Sequence, residues 1–428
     1  MLITRGQRWL ASLLALSALP LAGCAGYPVV HQVGEQAPRA ELARTDTTGA
    51  RGEVTICGVR DTGLWETFTA DFNADHPGLE IHYIEIGQDT DETRTQAIQR
   101  LQGGSRQCDI FLTDVTWTSE WAAQGWLLDH SALVEQHRAD LIPSTLDTVE
   151  YDERYWAVPF YTNAGLLFYR DDRVPRPTTW RQVYARAGQN ELNRVEMQAK
   201  QYEGLTVNFL EMLYSAGGSV LDSEGNITID SPQTREVLRL MAHGLDTGAV
   251  DRASLTYNED NARRAYESGV AGYLRQWPSA HELISQTDAG PVTGVSSLPA
   301  FDEDGEPAAV LGGWNLAIAA TSDNIAGAAE VIDYATTAEM QKKLVLEHTQ
   351  APVFAAVYDD PQVRAKIPFI RELKQSVFNA RSRPKSPVYT QISRAIYDNV
   401  YEVVSGRTDV ESGVREMSKD IRTAQETF

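Results

Sequence analysis

Trp156-Ala-Val-Pro-Phe-Tyr-Thr-Asn-Ala-Gly-Leu-Leu-Phe-Tyr169 is too apolar for a surface loop and is broken by Pro159 and Gly165. Continuous apolar runs of this kind form strands buried on both faces. The stretch therefore predicts extended chain passing from one lobe of the molecule to another. Upstream of it, Glu53-Val-Thr-Ile-Cys-Gly-Val59 reads as a short strand. Asp61-Thr62-Gly63 then turns the chain, and Asp or Thr is able to cap the next helix. That helix carries Trp65, Phe68 and Phe72 at steps of three and four, the stripe of a buried helix face. His76-Pro77-Gly78 stops it. A strand from Leu79 to Ile86, a polar helix from Asp91 to Gln102 and a strand from Cys108 to Asp114 follow. Strand–helix–strand–helix–strand order implies parallel pairing with right-handed crossovers. Ligands bind such sheets beyond the carboxyl ends of the strands. Those ends are Asp61-Thr62, Gln88-Asp89 and Asp114 to Trp117.

Downstream, residues 170–310 alternate helix and turn. Helices are expected over Pro177–Ala187, Glu203–Ala216, Pro232–Leu245 and Thr256–Ser268, with a hairpin over Val220–Ile229 and a strand over Val270–Leu274. Gly312-Gly-Trp-Asn-Leu-Ala-Ile-Ala319 reads as the strand that returns to the first lobe. Further helices are expected over Ala326–Glu347, Pro361–Lys366 and Val388–Val404, and from about Val410. Another helix carries Trp121 and Trp126.

The amino terminus has its own logic. Arg5 and Arg8 precede an apolar run from Trp9 to Leu21, and small residues lead into Cys24. That order is a secretory leader, residues 1–23. The run falls short of the roughly 20 apolar residues of a membrane-spanning helix. Leu21-Ala-Gly-Cys24 resembles a bacterial lipobox, which implies lipidation at Cys24 and an extracytoplasmic chain anchored to the cell membrane. Residues 24–52 are polar, rich in Gly, Pro, Ala and Thr, and read as a flexible tether. Losing the leader removes two arginines and no acid, so the formal charge moves from −21 to −23. A surface so acidic disfavours nucleic acid and anionic lipid. Cys57 and Cys108 remain in an oxidising compartment, where a bridge and two buried free thiols are both open readings.

Several stretches together resemble the family 1 extracellular solute-binding proteins, the maltose-binding-like lipoproteins that feed ABC importers. Gly217-Gly-Ser-Val-Leu-Asp-Ser-Glu-Gly-Asn-Ile-Thr-Ile-Asp230 with Ser-Pro and a helix behind it resembles their second-lobe hairpin. Asn261 to Gly272 followed by Trp277-Pro278, Leu311-Gly-Gly-Trp-Asn-Leu-Ala-Ile318, and Ser382-Arg-Pro-Lys-Ser-Pro-Val-Tyr-Thr-Gln-Ile-Ser393 resemble other segments in order. The resemblance covers about residues 53–425. It implies an α/β fold of the two-lobed type II periplasmic-binding kind, each lobe a mixed, mostly parallel sheet flanked by helices. The lobes would be 53–160 with 320–376 and 165–315 with 380–428. Thr113-Asp-Val-Thr-Trp-Thr-Ser-Glu-Trp121, Thr162-Asn163, Gly204-Leu205, Gln276-Trp-Pro278, Arg383-Pro and Pro387-Val-Tyr389 are similar to the trehalose-binding members. Carried over, Asp114, Asn163, Glu259, Trp277 and Arg383 would touch a sugar, with Asp89, Asp91, Glu203, Trp65 and Trp314 as a second tier. The resemblance implies a monomer that delivers a disaccharide to ABC permease subunits, without a cofactor.

Those residue types suit a sugar. Its hydroxyl edges take charge-assisted bonds from carboxylates, amides and guanidinium, and its C–H faces take aromatic rings. Each residue also has a plainer reading: a helix cap for Asp114, a hinge bond for Asn163, a solvated helix position for Glu259, core packing for Trp277, a surface ion pair for Arg383. Catalytic and metal motifs are absent from the sequence: no Gly-x-Ser-x-Gly elbow, no His-Glu-x-x-His, no P-loop and no zinc spacing. Asp222 to Asn226 and Asp302 to Glu306 lack full calcium-loop spacing and read as hairpin turns. The chain is accordingly expected not to be an enzyme and to hold no metal. A lipid-anchored glycoside hydrolase, whose two carboxylates need only meet in space, and a binding protein for maltodextrin or a glycerophosphodiester are the alternatives.

Overall fold

The computed structural model describes residues 47–61 and 63–427. The expected leader, Cys24 and most of the tether lie outside them. Twelve strands are present among the described residues: β1 Gly52–Val59, β2 Leu79–Gly87, β3 Ile110–Asp114, β4 Glu150–Tyr151, β5 Arg154–Tyr155, β6 Val158–Ala164, β7 Leu166–Arg170, β8 Arg194–Glu196, β9 Ala271–Gln276, β10 Thr293–Ser297, β11 Leu311–Ile318 and β12 Ala351–Pro352. They form a six-stranded sheet in the order β12-β6-β11-β3-β1-β2, a four-stranded sheet in the order β10-β7-β9-β8, and the small hairpin β4-β5. β1 pairs in parallel with both β2 and β3, as the crossover rule requires. β11 returns antiparallel between β3 and β6. No helix of the described residues is long and apolar enough to cross a membrane.

The stretch Trp156–Tyr169 is two strands and not one. β6 ends in the six-stranded sheet at Ala164, and β7 begins the four-stranded sheet at Leu166. Gly165 is the joint. A Cβ there would overlap the Glu211 carboxylate and lie 2.8 Å from Arg275 Nη2. Only a residue without a side chain lets the chain pass so close to that pair.

Local chemistry sets the element ends. The Asp61 carboxylate accepts the backbone N–H groups of Gly63, Leu64 and Trp65 at 2.5, 3.0 and 3.1 Å, satisfying the start of helix Leu64–Asp75. The expected single helix over Ala326–Glu347 is two, Ile325–Ala335 and Ala338–His348. Thr336 bonds back to Ile332 O, and Thr337 caps the second helix by accepting from Met340 N; hydroxyls that compete for backbone groups break the run. The helix expected from Thr256 begins at Glu259, because Asn258 and Asn261 form a capping box there. Trp126 lies past the end of helix Thr118–Ala123. Helix Ile370–Phe378 was not expected. Cys57 and Cys108 form a disulfide, which decides between the two open readings. Asp222 accepts from Glu224 N and Asn226 N and is a turn residue.

Candidate functional site

A cleft of about 530 Å³ opens at the carboxyl ends of β1 and β3, where the topology places ligands. Its volume lies within the range of small-molecule sites. Asp61, Asp89, Asp114, Tyr161, Asn163 and Trp314 line it from the six-stranded sheet side. Glu203, Glu259, Gln276, Trp277 and Arg383 line it from the other. All five residues of the first tier are therefore brought together.

Arg383 is the centre of the charge network. Its Nη1 donates to Glu203 Oε1 at 2.6 Å and its Nη2 to Asp114 Oδ1 at 3.2 Å. The plainer reading of Arg383, a surface ion pair, fails, because the side chain is buried. Burial alone would pull its pKa down, but Asp114, Tyr389 and Glu203 outweigh that and hold it well above its ordinary value. Glu203 also accepts from Tyr389 OH at 2.6 Å and from the Ser393 hydroxyl. Asp114 Oδ1 takes the Thr116 N–H at 3.0 Å and the Thr116 hydroxyl at 2.7 Å. It is thus both a turn residue and a cleft residue. On the far side of Arg383 lies a smaller cavity of about 300 Å³, lined by Thr116, Ser119, Thr148 and Lys385.

Glu259 begins its helix and accepts from Tyr202 OH at 2.7 Å. Burial and the Glu259 charge push the Tyr202 phenol well above its ordinary pKa, so it stays a donor. Trp277 is half-buried, with its indole against Gly312, where a Cβ would lie 2.9 Å from the ring. Trp314 lines the cleft and meets Trp117 edge-on at 5.5 Å. Two amide oxygens stand out. Asn163 and Gln350 line the cleft, and their Oδ1 and Oε1 atoms are buried and have no hydrogen-bond partner among the described residues. Unpaired buried acceptors are costly, so a binding site is where they are expected.

Two second-tier residues are corrected. Trp65 is 3 % exposed, stacked on Tyr83 at 4.4 Å and packed on Phe68. It belongs to the core stripe of its helix and does not line the cleft. Asp91 sits on the first turn of helix Thr90–Gln102, off the cleft wall. Burial first, then the charges of Glu203 and Asp89, raise its carboxyl to about 7. Asp89 reaches the cleft but caps that helix and pairs with Lys200 at 3.3 Å. Sequence reasoning missed Gln350, Tyr161, Tyr202 and Gln276. Gln276 stands beside Trp277 and was legible from that adjacency; Gln350 reaches the site only because β12 pairs with β6.

A family model described as "Bacterial extracellular solute-binding protein" matches residues 59–342. The chain belongs to that family. A probable ABC transporter-binding protein of Deinococcus radiodurans is 30% identical over 79% of this chain and 85% of its own length. The mannitol-binding protein of Pseudomonas aeruginosa is 24% identical over 72% of this chain and 74% of its own. Among solved structures, maltose-bound MalE3 of T. maritima superposes with a TM-score of 0.82 at 29% identity, covering 87% of this chain and 99% of that one. These extracellular solute-binding proteins share the type II two-lobed fold seen here.

Proposed function

We propose that this chain is the sugar-binding component of an ABC importer and takes a neutral polyhydroxylated ligand, a disaccharide such as trehalose. The two unpaired acceptors in the cleft carry the reading. Asn163 Oδ1 and Gln350 Oε1 call for hydroxyl donors. Trp277 and Trp314 supply apolar faces beside them. The cleft lining carries six carboxylates, Asp61, Asp89, Asp114, Glu203, Glu259 and Asp260, against four arginines, Arg60, Arg263, Arg264 and Arg383, and that acidic excess favours a neutral ligand over a phosphodiester. The relatives support the class: their names give mannitol, maltotriose and arabinooligosaccharides as ligands.

The mechanism is hinge closure. The expected bounds at 160 and 315 cut through β6 and β11; drawn at the ends of those strands, the lobes divide as about 53–164 with 311–376 and 166–310 with 380–428. A sugar touching Asp114 and Asn163 on one side and Glu259 and Trp277 on the other favours the closed state. The closed monomer docks on the permease, and Cys24 carries the lipid anchor. As an enzyme the site is poorly arranged, because Asp114 and Glu203 are both engaged by Arg383.

The test is a melting-temperature screen of residues 49–428 against trehalose, maltose, sucrose, glucose, mannitol and glycerophosphocholine. A ligand that binds only the folded state raises the melting temperature by mass action. A shift with trehalose alone is expected. A shift with another sugar keeps the transport role and changes the substrate; a shift with glycerophosphocholine alone, or with none, sinks the sugar reading.

A further inference from the structure

Arg275 on β9 and Glu211 on helix Glu203–Ser215 form an ion pair with side-chain exposures of 1% and 0%. Arg275 Nε and Nη2 donate to the two carboxylate oxygens at 2.7 and 2.5 Å, a two-pronged fork. Gln198 closes around it, accepting from Arg275 Nη1 at 3.4 Å and donating to Arg275 O at 3.2 Å. A buried pair of this kind loses in desolvation much of what it gains in attraction, and apolar replacements are often neutral or stabilising. Stability alone is therefore a weak reason for its presence.

Its neighbours supply a better one. The Arg275 guanidinium lies over the Trp277 indole, 4.1 Å from the ring centroid. The Glu211 carboxylate meets both strands that cross between the sheets. Gly165 passes directly against it, and the Val310 N–H, one residue before β11, donates to it. Gly312 on that second strand passes the edge of the Trp277 ring.

We propose that Glu211 and Arg275 are a positioning pair, which fixes the Trp277 indole as the sugar-facing platform and ties it to the two crossing strands. The guanidinium holds one face of the ring, and the other face receives the C–H surface of the ligand. A planar guanidinium does this and a lysine does not, because an ammonium is a compact point charge without the fork. The inference rests on the reading of Trp277 as a sugar contact.

The test removes both charges at once with Glu211→Met/Arg275→Met. The first readout needs no sugar: 19F NMR of protein labelled with 5-fluorotryptophan, the Trp277 line assigned by Trp277→Phe. The second is affinity for trehalose or maltose by calorimetry. Expected are a melting temperature close to wild type, a broadened or split Trp277 line, and affinity lowered at least tenfold. An unshifted, sharp Trp277 line overturns the proposal, and so does wild-type affinity in the double variant. If wild type binds neither sugar, calorimetry uses whichever sugar raised the melting temperature; if none did, the functional reading fails, and the 19F line still decides the positioning. Should the double variant not fold, Arg275→Lys replaces it: a broadened line supports the proposal and a sharp one overturns it.

Discussion

At the scale of single residues, the site is a set of groups whose pairing is deliberately incomplete. Asn163 is 8 % exposed, yet its amide oxygen has no partner among the described residues. Asn163→Leu keeps the shape and removes that acceptor. It should lower sugar affinity by about 1–3 kcal/mol, the cost of a lost hydrogen bond in a desolvated site, without lowering the melting temperature. Calorimetry beside a thermal melt checks both halves. Trp277→Ala should abolish binding and leave a cooperative melt. Asp91 makes a prediction about pH. Its folded pKa of about 7 stands above its ordinary value, through burial and then through Glu203 and Asp89. The folded state therefore holds the proton longer than the unfolded chain, and stability falls as pH rises from about 4 to about 7. Asp91→Asn should raise the melting temperature at pH 8 and change it little at pH 4. An equal shift at both values would contradict the assignment.

At the scale of elements, the strands depend on a few close approaches. His130 is fully buried, accepts the Ile318 N–H at Nε2 and donates from Nδ1 to Leu128 O. It fastens the end of β11. Burial lowers its pKa to about 4, so it is neutral in the fold. Here the sign is opposite to that of Asp91: the unfolded chain takes the proton first, and stability is lost as pH falls from about 6.5 to about 4, by about 3 kcal/mol. Denaturant melts of wild type and His130→Gln across that window should converge as pH falls. Gly165→Ala presses a methyl group on the Glu211–Arg275 pair and should cost more than the about 1 kcal/mol centre of ordinary substitutions. Urea unfolding reads this directly.

At the scale of the molecule, the disulfide and the two-sheet arrangement matter most. Cys57 and Cys108 are 51 residues apart and join β1 to the start of β3. By the chain-entropy argument, Cys57→Ala/Cys108→Ala should lower stability by about 4 kcal/mol. A melting temperature unchanged in the double variant would contradict the chain-entropy argument. Closure has its own measurement. The radius of gyration from small-angle scattering should shrink with a bound sugar in wild type and stay constant in Trp277→Ala.

Much of this was legible in the chain itself. The period-3.6 stripe of Trp65, Phe68 and Phe72, the stop at His76-Pro77-Gly78 and the apolar strands determined the alternating architecture, because hydrophobic periodicity is a local property. That same stripe shows why Trp65 belongs to the core and not to the cleft. The five first-tier residues meet in one cleft, but their pattern was readable only through resemblance, since contacts such as Asp114 with Arg383 span 269 positions. The helix break at Thr336-Thr337 escaped notice because two competing hydroxyls outweighed an otherwise continuous apolar pattern. The disulfide, the role of Gln350 and the Glu211–Arg275 fork under Trp277 were decided by tertiary structure alone. Each depends on which surfaces the sheets bring within a few ångströms, and no local pattern encodes that distance.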